Sequence, residues 1–123
     1  MKQGDFTHFE IPADDPDRAK AFYSGLFDWS FADPIPGLDG YHLFTTPVGQ
    51  EGMGGAIGKR GENAPDAVRS YLTVDSIDDS LAAATANGGS IVVPKTDIGI
   101  GWYAAITDTE GNEIALWESL PRG

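Results

Sequence analysis

The sequence contains no cysteine. That excludes disulfides, thiolate metal ligands and a cysteine nucleophile, and it fits a reducing compartment. Basic residues are scarce. Eight Lys and Arg stand against 19 Asp and Glu, for a formal net charge of −11. Affinity for nucleic acid comes largely from Lys and Arg neutralising phosphates, so neither nucleic acid nor an anionic membrane is an expected partner. The acidity is read as a solubility device. No apolar run approaches the roughly 18–20 residues that cross a bilayer. The opening MKQGDFTHFE lacks the apolar core of a signal peptide. The expected location is the cytoplasm. There is no glycine-rich phosphate loop followed by Lys and Ser or Thr; Gly52–Gly58 (GMGGAIG) reads as a strand instead.

What the chain does contain is an internal repeat. Thr7–Asp15 (THFEIPADD) and Ser70–Asp78 (SYLTVDSID) both alternate apolar and polar residues, then run into an acidic cluster and an Ala-rich helical pattern. Thr46–Gly52 (TPVGQEG) and Asp108–Ile114 (DTEGNEI) match loosely further on. A period of roughly 60 residues means two similar modules. Each would be marginal alone, so one shared domain is expected over residues 1–123, with module 1 at about 1–60 and module 2 at about 67–123. Arg60–Pro65 links them.

Local signals give the elements. Asp5–Ile11 alternates as a strand, with Phe6, His8 and Glu10 on one face. Asp14 or Asp15 caps a helix that Pro16 opens and that runs to about Phe27. Ala19, Phe22, Tyr23 and Leu26 are its expected buried stripe, with Phe27 also in the core. Strands follow at Trp29–Ala32, Tyr41–Thr46 and about Gly52–Lys59. In module 2 a strand spans Ala67–Val74, and a helix capped by Asp75 or Ser76 covers about Ile77–Asn87. Strands are then expected at Ser90–Val93, Trp102–Thr107 and Glu113–Glu118, with Pro94–Gly101 as a loop. The order βαβββ, repeated, argues an α+β fold.

Thr7–Trp29 (THFEIPADDPDRAKAFYSGLFDW) and Asp108–Glu118 (DTEGNEIALWE) resemble the opening strand and helix and the closing hairpin of the vicinal oxygen chelate superfamily. That superfamily includes glyoxalase I, extradiol dioxygenases and the fosfomycin and bleomycin resistance proteins. The resemblance implies two βαβββ modules forming an open, eight-stranded, cup-shaped sheet with helices outside and a site within. In metal-using members four positions on the first and last strands supply ligands, mostly His and Glu. Here those positions fall on His8, Tyr71, Ala115 and, near the glycines, Met53. Three protein ligands are generally needed for a catalytic divalent ion. No metal cofactor is therefore expected. If a divalent ion were bound, His8, Glu10 and Glu113 would be the rebuilt set, with Glu51 the module 1 counterpart of Glu113.

His8 is the candidate catalytic residue and the leading ligand contact. Its unperturbed pKa near 6.5 suits a general base. His42 is a second histidine of undetermined face. Tyr71 and Arg69 share a strand face; Tyr71 offers a hydroxyl, and Arg69 offers a charge for an anion or a surface ion pair. Trp102 and Trp117 are aromatic wall or core residues. Glu10, Glu113 and Ala115 complete the candidate pocket, Ala115 by leaving room.

Three functions remain open from sequence. One is a cup that binds a small aromatic or apolar molecule without metal. Another is a lyase, isomerase or dioxygenase using a divalent ion. The last is an interaction domain whose cup is filled by its own side chains. The resemblance also implies a homodimer.

Overall fold

A computed structural model gives the fold and describes residues 3–37, 39–47, 54–62 and 64–120. Met53 and Glu51 lie outside the described residues. The fold is α+β, an eight-stranded mixed sheet with two helices. The elements are β1 (Phe6–Ala13), α1 (Pro16–Leu26), β2 (Ser30–Phe31), β3 (His42–Thr45), β4 (Gly54–Lys59), β5 (Arg69–Thr73), α2 (Ile77–Ala86), β6 (Ser90–Asp97), β7 (Gly101–Thr107) and β8 (Glu113–Ser119). Two compact units divide the chain: His8–Arg69, and Met1–Thr7 with Ser70–Gly123.

The His8–Arg69 unit has strand order β2-β3-β4-β1. The first and last strands, β1 and β4, pair in parallel, and the other pairs are antiparallel. A parallel pair needs a long crossover, which begins here with α1. Asp15 caps that helix by accepting from Arg18 N at 3.0 Å, and Pro16 fits the first turn. Ala13, Phe44 and Ile57 form the buried cluster, with Ile11, Ala19, Tyr23, Trp29 and Phe31 packed around it. Tyr23, Trp29 and Phe44 stack at centroid distances of 4.9 and 4.3 Å. Gly55 sits under Phe44 because any Cβ there would stand 2.9 Å from Phe44 Cζ and 2.1 Å from Phe9 O.

The expected stripe on α1 is only half realised. Ala19 and Tyr23 pack on the core, but Phe22 and Leu26 are 61% and 55% exposed, and Phe27 is 47% exposed. Residues four apart share a row on a helix. The Ala19–Tyr23 row packs on the core, while the adjacent Phe22–Leu26 row is turned to the outside. Phe22 keeps an edge-on contact with Tyr23, centroids 5.1 Å apart.

The second unit repeats the arrangement, with order β5-β8-β7-β6 and a parallel first–last pair of β5 with β8. Val74, Ile77, Ala104 and Leu116 are buried together, and Leu72, Leu81, Trp102 and Ile106 pack against them. Ser76 caps α2 by accepting from Asp79 N at 3.2 Å. Glu118 Oε1 accepts from Ile77 N at 2.7 Å, tying the helix start to β8. The β7–β8 turn is organised by Asp108, whose Oδ1 accepts from Glu110 N at 2.8 Å and Asn112 N at 2.9 Å. Those bonds, Asn112 foremost, hold the Asp108 carboxyl below the usual carboxylate range. Gly111, at φ +84°, supplies the left-handed residue the turn requires.

The Pro94–Gly101 segment is not all loop, because β6 continues to Asp97. Pro94 is tolerated because β6 is the edge strand, and its pairing with β7 is irregular between Val93 and Thr96.

Candidate functional site

Strand alternation builds the site in the His8–Arg69 unit. Ile11 and Ala13 of β1 face α1, so His8 and Glu10 face the other way. The parallel register sets His8 beside Gly54 and Glu10 beside Ala56. These small residues leave space for the longer side chains. Glu10 is 4% exposed. A buried carboxylate requires partners, and Glu10 has them. Arg69 donates to Oε1 through Nη2 at 2.8 Å and Nε at 3.2 Å. Tyr41 Oη donates to Oε2 at 2.9 Å. Tyr41 Oη is also 3.3 Å from His8 Nε2. The four side chains thus form one line: Arg69, Glu10, Tyr41, His8. Burial lowers the His8 pKa below its ordinary value, only partly opposed by the Glu10 charge.

Sequence reasoning named three of these four residues but not their union. Arg69 does not make a surface pair: its side chain is 11% exposed and that of Glu10 5%. Tyr41 was missed. The sequence pattern places it at the start of a Tyr41–Thr46 strand but does not single it out as a site residue; in the structure it lies one residue before β3. His42 takes the opposite side, where its Nε2 is 2.9 Å from Asp17 Oδ1 on α1.

The other unit carries the remaining candidates. Tyr71 pairs with Ala115 across β5 and β8, Ala105 with Ala115 and Tyr103 with Trp117 across β7 and β8. The alternate residues Ala104 and Leu116 belong to the core under α2. Tyr71, Tyr103 and Trp117 therefore share the face away from α2, around the fully buried Ala105 and Ala115. The Trp117 ring overlies Gly101, where a Cβ would stand 2.6 Å from its Cζ2. Its Nε1 donates to Ser119 Oγ at 3.2 Å. Trp102 lies on the opposite face, against the α2-side core, with Lys95 Nζ 4.8 Å from its ring centroid. Glu113 is exposed at the start of β8.

The family model described as the Glyoxalase/Bleomycin resistance protein/Dioxygenase superfamily matches residues 5–116. The chain belongs to that superfamily. A glyoxylase-like domain-containing protein of Didymella fabae is 31% identical over 92% of each chain. The candidate glyoxylase CFP32 of Mycobacterium bovis is also 31% identical, over 96% of this chain and 47% of its own length. The chain thus spans about half of that relative. A superfamily member from Vibrio splendidus shares the fold, with a TM-score of 0.62, 10% identity and coverage of 96% of this chain and 100% of its own.

The described residues do not fit the divalent set of metal-using superfamily members. Tyr71 and Ala115 stand at two of the four positions, and alanine has no donor atom. Among the described residues, no three His, Cys, Asp or Glu side chains are gathered to hold an ion. Glu10 has its charge neutralised by Arg69.

Proposed function

We propose that this superfamily domain binds a small aromatic or apolar molecule without the divalent set of its metal-using relatives. The observation that carries this reading is the commitment of Glu10. Glu10, the one buried carboxylate among the described residues, is held by a guanidinium and a phenol rather than presented for a metal. Tyr71, Tyr103 and Trp117 support it from the other unit, since aromatic side chains offer apolar area and favourable ring contacts to flat ligands. In this reading His8 supplies a polar contact within its own unit; within the other, Tyr71 supplies one and Ala115 leaves room.

A second reading is favoured by the names of the two relatives. In it, the domain is a metal-dependent lyase, isomerase or dioxygenase working through His8 with non-standard carboxylates. Metal analysis separates the two. Untagged protein is incubated with Mn, Fe, Co, Ni and Zn ions, desalted and analysed for bound metal. It is then titrated with aromatic compounds while tryptophan fluorescence is followed. The expected result is no retained metal and a saturable change that Trp117→Leu abolishes. Near one equivalent of a divalent ion, lost in His8→Ala, would overturn the proposal and establish the second reading.

A further inference from the structure

The line of hydrogen bonds from Arg69 to His8 has a direction, and proton counting fixes it. Arg69 can only donate, and its Nη2 and Nε bonds end on Glu10 Oε1. The carboxylate of Glu10 can only accept, so the bond at Oε2 uses the single hydroxyl proton of Tyr41. That proton is then spent. In the contact of 3.3 Å between Tyr41 Oη and His8 Nε2, the donor then has to be the ring. We propose that Glu10, acting through Tyr41, fixes His8 in the Nε2–H tautomer.

Glu10 and Tyr41 are thus positioning residues for His8, which ties the buried ion pair to the chemistry of the imidazole. In this tautomer the ring's lone pair lies on Nδ1, and Nε2 has none to give a divalent ion. The relevance to a bound molecule rests on the reading above that His8 contacts it. The tautomer itself does not depend on that reading.

An isosteric change reverses the line. In Glu10→Gln the two Arg69 donors retain the amide oxygen, so the NH₂ group turns toward Tyr41. Tyr41 then accepts from Gln and donates to His8 Nε2, which becomes the unprotonated nitrogen. The tautomer flips to Nδ1–H. Tyr41→Phe cuts the line and removes the acceptor facing Nε2.

The test is a nitrogen–proton correlation spectrum of the histidine rings in ¹⁵N-labelled, chelator-treated protein at about pH 8, above the ordinary histidine range. His8→Gln assigns the signals. The expected result is the Nε2–H pattern in the wild type and the Nδ1–H pattern in Glu10→Gln. Tyr41→Phe should show a rise in the Nδ1–H form, with no further change when Glu10→Gln is added. A wild-type Nδ1–H pattern overturns the inference, as does a folded Glu10→Gln protein whose His8 pattern is unchanged. If Glu10→Gln does not fold, Tyr41→Phe decides alone, and an unaltered His8 pattern there overturns the inference. Metal retention, by contrast, would sink the metal-free reading without moving the tautomer of the chelated protein.

Discussion

Arg69→Met should be among the most damaging single substitutions in this chain. The deciding quantity is burial. The side chains of Arg69 and Glu10 are 11% and 5% exposed, so the pair is not in the regime of solvent-exposed ion pairs, which contribute about 0–1 kcal/mol. Removing one partner of a buried pair leaves the other charge uncompensated and costs about 3–5 kcal/mol. In this variant Glu10 would keep the Tyr41 bond at 2.9 Å but lose both guanidinium bonds. At about 1.4 kcal/mol per tenfold, the folding constant should fall by roughly two to four orders of magnitude. Urea unfolding followed by tryptophan fluorescence measures this, with the m-value checked for constancy. The double variant Glu10→Leu/Arg69→Met should recover much of the loss, because the cost lies in the orphaned carboxylate rather than in the missing attraction. Part of the loss should persist, since Tyr41 Oη loses the Glu10 carboxylate at 2.9 Å and has only the longer contact to His8 Nε2, at 3.3 Å, to turn to. A loss below about 1 kcal/mol in Arg69→Met would refute the reasoning, because it would mean water reaches the pair.

Acidification should expose His8. Its folded pKa lies below the ordinary value because burial disfavours the charged ring, so in that window the unfolded chain binds more protons. The stabilisation is present above about pH 6.5 and is lost as pH falls through the lower folded value. Stability should therefore decline over that interval in the wild type and decline less in His8→Gln; equal slopes in urea unfolding would contradict this. Gly55→Ala should lower stability by about 1–3 kcal/mol, because the new Cβ meets Phe44 and the Phe9 carbonyl. Near-ultraviolet circular dichroism should also report disturbance of the Trp29–Phe44 stack, and an unchanged spectrum and melting temperature would count against that packing.

Much of the architecture was legible because it rests on short-range chemistry. The repeat showed in THFEIPADD and SYLTVDSID, and both units realise it with the same strand order and a parallel first–last pair. The helix starts were readable from Asp15–Pro16 and Ser76, whose side chains cap the first turns. Two errors came from treating local signals as sufficient. Phe22 and Leu26 have core spacing, but helix periodicity does not say which of two adjacent rows the core covers. Pro94 reads as a breaker, yet an edge strand accepts it.

At the candidate site, alternation along β1 placed His8 and Glu10 on one face. The alternation of side chains and the identity of each residue are properties of a strand alone, so the sequence by itself determined them. The tertiary structure decided the partners. Arg69 is 59 residues from Glu10 in sequence, and Tyr41 is 31 residues away. No local pattern encodes such pairings. They exist because β4 lies parallel to β1 and carries only Gly54 and Ala56 beside His8 and Glu10, and because a carboxylate buried there must find donors wherever the fold brings them.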